Sequence, residues 1–222
     1  VFTRRTRQPP DVVPSQGPRR LRSLALEVAN RALVNDGRKV EILDLGAACG
    51  ETLAFYTGLP CKLHFVDCYA DLKATPRGDE ESAAEAMSEA CAKALPFDAS
   101  TRFDLILTWD LFNYLSREEI GVLAGHLRRF SRETAPLVSL IWTTQRIPAN
   151  PNRYAIIDRE TLEYRPTTTR ERPGPRYREP DLLRVMRGYR AGRSFLLRHG
   201  MQEYIFEPLS GADLTGRPGW AR

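Results

Sequence analysis

Two acidic residues and a run of small ones pose the first chemical question. Asp44 precedes Gly46-Ala47-Ala48-Cys49-Gly50, and Asp67 lies 23 residues after Asp44. The surrounding pattern is an apolar run, a turn of small residues opening a helix, and a second apolar run, Leu63-His64-Phe65-Val66, ending in that carboxylate. Small residues let a backbone approach a ligand closely. A carboxylate at the tip of the second strand accepts hydrogen bonds from both hydroxyls of a ribose, so the order suits an adenosine group. A third cluster is Trp109-Asp110, at the end of the run 103–108. Ligands of open α/β sheets collect at such strand tips. Asp110 is therefore a candidate to bind cofactor or substrate, or to act as a general base; a turn cap is its plainer role. Asn113 and Tyr114 follow on the same turn and are candidates to face the pocket.

The elements that must position these residues follow from hydrophobic pattern. Residues 40–45 are apolar on both faces, as a central parallel strand requires. A short helix runs from Gly50 until Gly58 and Pro60 stop it, and a strand covers 63–66. The segment 80–94, rich in alanine and glutamate, predicts a helix, and no third strand is visible before Phe97. Strands follow at 103–108 and 137–143. Between them Ser116 and Glu119 form a capping box for a helix with an Ile120, Leu123, Leu127, Phe130 stripe. Near the start, apolar spacing predicts a helix from Arg19 to Gly37. Near the end, 181–198 reads as a helix and 201–206 as a strand. The irregular segment 144–180 holds one hairpin candidate, 153–166.

The segments ILDLGAACG, HFVD and FDLILTWDLFNYLS resemble motifs of the class I S-adenosylmethionine-dependent methyltransferases, over roughly residues 40–145. The resemblance implies an α/β fold: a doubly wound, mostly parallel sheet flanked by helices, with an antiparallel last strand and an insertion after the fifth strand. It implies S-adenosyl-L-methionine as cofactor, held by Asp44, Gly46, Ala47, Ala48, Gly50, Asp67, Cys68, Trp109 and Asp110. It gives Asp110 as the one candidate catalytic residue and no metal. Three departures stand out. Ala48 replaces the middle glycine of the GxGxG loop, no acidic residue ends a third strand, and the Pro-Gly-Gly approach to the fifth strand is missing. Nicotinamide dinucleotide is the competing ligand. Glu51, at the helix N-terminus where its pyrophosphate would rest, disfavours it.

The implied domain plan is a flexible basic arm over 1–18 and one methyltransferase-like domain over 19–222, with 144–180 a substrate cap or loop insertion. The 222 residues suit one core. The basic start lacks an apolar stretch of signal-peptide type. The four cysteines include no CxxC pair, so they read as reduced thiols of a cytoplasmic protein rather than a zinc site. No apolar run has membrane length. Net charge is +5, yet it divides into about +6 for 1–40, about −6 for 41–150 and about +5 for 151–222. An acidic centre suits a cationic sulfonium. The expected function is methyl transfer to an oxygen or nitrogen of a small molecule. The alternatives are RNA or protein acceptors, which the basic ends would serve, and a catalytically silent binding domain.

Overall fold

A computed structural model describes residues 17–33, 38–74, 80–197 and 200–210. The central sheet is built from β2 (Val40–Asp44), β3 (Cys61–Phe65), β4 (Leu105–Trp109), β5 (Leu137–Trp142), β10 (Tyr189–Leu196) and β11 (Met201–Pro208). From one edge the order is β3-β2-β4-β5-β11-β10. The first four strands are parallel, and β11 runs antiparallel to both β5 and β10. No strand lies beyond β3 among the described residues, in line with the third strand missing from the pattern.

Alternation along the central strands divides the core in two. Leu43 and Ile106 face one layer with α4 (Glu80–Ala94), α5 (Arg117–Phe130) and α6 (Glu179–Val185). Ile42, Leu105 and Leu107 face the other, with α1 (Leu24–Ala32) and α2 (Gly50–Thr57). The Ser116–Glu119 capping box forms at the start of α5, each side chain taking the other's backbone N–H. The short helix α3 (Tyr69–Lys73) follows β3 directly.

Two terminal expectations are corrected. The stretch Arg19–Arg22 is a strand, β1, and the helix begins only after Ser23, whose hydroxyl caps the Leu26 N–H. Arg20 and Arg22 reach across to Glu163 and Glu160, tertiary partners that outweigh local helical spacing. The expected Gly37 helix end lies outside the described residues. Likewise 181–198 is not one long helix. α6 ends by Met186, Gly188 takes φ +91, and the chain turns back as β10. Pairing with β11, with Tyr189 buried against the Ser131 hydroxyl, wins over helical propensity there.

The segment after β5 is ordered. β6 (Arg146–Pro148) pairs with β9 (Glu171–Pro173), and β7 (Arg153–Ile156) forms the expected hairpin with β8 (Thr161–Arg165). β1 adds to the outer edge of that hairpin. Most of the expected basic arm, residues 1–16, lies outside the described residues.

Asn113 locks the turn after β4 onto the sheet rather than facing a pocket. Its buried amide donates to the carbonyls of Asp110 and Leu140, each at 2.8 Å, and accepts from Trp142 N–H at 2.8 Å. Removing it takes this partner from the Leu140 carbonyl and the Trp142 N–H, while the Asp110 carbonyl keeps the residue-113 backbone N–H at 3.1 Å. Asn113→Ala is expected to lower unfolding free energy by about 3 kcal/mol, read from urea melts.

Candidate functional site

The chain winds from β2 outward to β3 and then returns to place β4 on the other side of β2. Crevices form at the strand tips where winding reverses. Here a cleft of about 610 Å³ opens between the tips of β2, β3 and β4 and the loop before β7. Of the expected site residues, Gly46, Ala47, Asp67, Trp109 and Asp110 line it. Asp67 is exposed to it.

Asp44 stands behind the cleft and shapes it. Its buried carboxylate accepts the Gly46 N–H at 2.8 Å and the Trp109 indole N–H at 2.5 Å. A Cβ on Gly46 would meet Trp109 Cδ1 at 2.9 Å, so only glycine fits beneath that ring. The indole reaches this position by an unusual route. The register between β4 and β5 slips between Leu107 and Trp109, a bulge that re-aims the next side chain. Trp109 then adopts φ +48, a left-handed conformation costing about 1 kcal/mol for a residue with a Cβ. The bond to Asp44 and a parallel stack on Tyr154, centroids 5.1 Å apart, hold it there.

Asp110 is almost fully enclosed. One carboxylate oxygen, Oδ2, accepts from the Asn152 backbone N–H at 3.2 Å and its side-chain amide at 2.8 Å. The other, Oδ1, has no hydrogen-bond partner. Burial pushes the Asp110 carboxyl up to about 7, against the pull of Asn152 and the nearby Tyr154 hydroxyl and Trp142 indole. Burial raises Asp44 to about 7 as well, opposed by Trp109 and Gly46.

The other expected residues sit elsewhere. Ala48 and Gly50 do not line the cleft; Ala48 is exposed, and a Cβ on Gly50 would meet nothing within 4 Å. Their stretch of chain anchors β7 instead, through Cys49 Sγ to the Tyr154 carbonyl and Ile156 N–H to Thr52 Oγ1. Cys68 turns inward against Leu72 and Cys91, and burial pushes both thiols up to about 12. Tyr69, one residue on, lines the cleft in its place. Tyr114 is buried, with its hydroxyl on the Asn150 carbonyl. Glu51 pairs with Arg165 at 3.0 Å, so the repulsion expected at that helix start is partly neutralised.

Sequence reading missed Asn152, Tyr154, Arg153 and Tyr69. Asn150-Pro151-Asn152 signals only a turn, and nothing local says that it meets Asp110. The described residues contain no cluster of side chains able to hold a metal and no helix long and apolar enough to cross a membrane.

The strand order, with its antiparallel penultimate strand and ligand cleft at the β2–β4 reversal, decides the fold. This is the class I methyltransferase fold. No family model matches the sequence, and no curated protein does. Among solved structures the chain is similar to the 1,6-didemethyltoxoflavin-N1-methyltransferase of Burkholderia thailandensis, at 16% identity and TM-score 0.45, covering 85% of this chain and 80% of that one. It is also similar to an S-adenosylmethionine-dependent methyltransferase of Clostridium acetobutylicum, at 12% and 0.47, covering 82% and 89%. A third is the glycopeptide N-methyltransferase MtfA complexed with sinefungin, at 13% and 0.44, covering 85% and 88%.

The raised carboxyls give a pH test with a definite sign. Native Asp110 keeps a proton that the unfolded chain releases near its ordinary value of 3.8. Its contribution to stability is therefore full below that value and is lost as pH rises towards about 7. Asp110→Asn carries no such proton. Between pH 5 and pH 8 the parent is expected to lose about 3 kcal/mol relative to this variant, measured by denaturant melts at each pH.

Proposed function

We propose that this protein is an S-adenosylmethionine-dependent methyltransferase acting on an oxygen or nitrogen of a small molecule. The observation that carries the reading is one cleft bordered by the Gly46-Ala47 turn, the exposed Asp67 carboxylate and the enclosed Asp110. Those groups fit the cofactor. The turn brings backbone close to the ligand, Asp67 takes the ribose hydroxyls, and the Tyr69 ring offers a face to the adenine. Two carboxylates without cationic partners among the described residues suit a ligand carrying a sulfonium and an ammonium group. Arg153, with no ion-pair partner among the described residues, is available to the cofactor's carboxylate. The neighbours described above include enzymes bound to S-adenosylhomocysteine and to sinefungin, which is compatible with this assignment.

Bound there, S-adenosylmethionine supplies an activated methyl group. The protein's part is chiefly alignment, because in-line displacement at a methyl carbon needs little acid–base help. Asp110 holds a proton acceptor, Oδ1, free of other bonds, with its carboxyl poised near neutrality. It takes up the proton that the acceptor's hydroxyl or amine loses. Segment 144–180, whose residues 150–153 border the cleft, serves as the substrate cap.

The test is calorimetric titration of S-adenosylhomocysteine. Micromolar binding is expected in the parent. Asp67→Ala should weaken it at least tenfold, the loss of charge-assisted bonds worth about 2 kcal/mol, with circular dichroism unchanged. A folded parent that does not bind overturns the reading.

A further inference from the structure

Asn152 lines a second chamber besides the cleft. This one has a volume of about 210 Å³ and lies within segment 144–180 and the end of β5. Its walls include the buried faces of Trp142, Ile147 and Tyr164. Two polar atoms on these walls, Tyr164 Oη and Asn152 Oδ1, have no hydrogen-bond partner among the described residues. Each belongs to a side chain more than nine-tenths buried, with exposures of 2% and 7%. Folded proteins leave few such groups unpaired. Two on the walls of one small cavity mark a place where a ligand completes the bonding.

Charge narrows the ligand. Arg146 and Arg170 border the chamber, with one acid, Glu171, among its described lining residues. Glu171 is already engaged by Arg146 at 2.8 Å. The Arg170 guanidinium, exposed at the rim, has no ion-pair partner among the described residues. The rim therefore carries a positive excess over an aromatic floor. Size narrows it further. A cavity of about 150 Å³ holds benzene, so this chamber suits one substituted ring rather than a peptide or a nucleotide.

We infer that this chamber receives the methyl acceptor and that the acceptor is a planar aromatic acid, a ring bearing a carboxylate and a hydroxyl or amino group. The inference rests on the methyltransferase reading above. The ring lies against Trp142 and Tyr164, and the carboxylate meets Arg170 and the Tyr164 hydroxyl. The nucleophilic group points to Asn152 Oδ1. Asn152 lines both cavities, and its amide holds Asp110 at 2.8 Å. The acceptor's nucleophile therefore arrives beside both the cleft and the Asp110 carboxylate. As its oxygen or nitrogen bonds to the methyl carbon and the carbon–sulfur bond breaks, its proton passes to Asp110. No oxidation or reduction is involved.

The experiment uses salicylate and 2-aminobenzoate as probes, with salicylamide and 2-aminobenzamide as neutral counterparts. Binding is read by calorimetry and thermal shift, with and without S-adenosylhomocysteine. The acids are expected to bind at least tenfold more tightly than the amides. Arg170→Gln and Tyr164→Phe should each weaken the acids about tenfold while leaving S-adenosylhomocysteine affinity unchanged. Arg170 is exposed, so that variant keeps the test valid even where Tyr164→Phe disturbs packing. S-adenosylhomocysteine binding without binding of the acids, or equal binding of acids and amides, or indifference of both variants, overturns this inference and leaves the methyltransferase reading standing. Failure of S-adenosylhomocysteine to bind overturns both.

Discussion

A carboxylate enclosed at the tip of β4 is the constraint on which the rest of this molecule turns. Among the described residues no cation pairs with Asp110, and two N–H groups of Asn152 donate to its Oδ2. An acid in that position survives by accepting directed bonds or by keeping its proton, and this one does both. Since Asn152 belongs to the segment after β5, the same two bonds that satisfy the acid fasten that segment to the sheet. The geometry that satisfies Asp110 is therefore also the geometry that borders the cleft with Asn152.

A second clamp lies at the tip of the neighbouring strand β2. Asp44 draws the glycine turn and the Trp109 indole together, and Trp109 passes the constraint to Tyr154 through a ring stack. The bulge in β4, the left-handed Trp109 and the uncrowded Gly46 are three parts of one solution. Thr52 and Cys49 add a further tie to β7, so the small-residue turn holds the β7–β8 hairpin on one side and borders the cleft on the other.

What could be read from the sequence was what depends on local pattern. The continuous apolar runs of β2, β4 and β5, the capping box of α5 and the alternation of the β7–β8 hairpin each carry their own signal. The Asp44–Gly46 and Asp67 positions were legible because a strand, a turn and a second strand in fixed order leave little freedom in where their tips fall. Other features depend on distant partners and left no local trace. Arg19–Arg22 has the spacing of a helix start and becomes a strand because Glu160 and Glu163 wait across the hairpin. Residues 189–196 become a strand because β11 offers an edge. Cys68 faces inward because the fold places Leu72 and Cys91 there, and Asn152 is an ordinary loop asparagine until Asp110 meets it.

The seating of β1 on β8 has a consequence for how the chain assembles. Arg20 reaches a partner 143 positions later, so β1 has no edge to join until residues 161–164 have been made. During synthesis the parallel strands β2 to β5 and their helices can collapse first, leaving residues 19–22 waiting. Closing so long a loop is slow in rate though modest in free energy. The β1–β8–β7 sheet is thus finished late, and β1 is the strand that completes it.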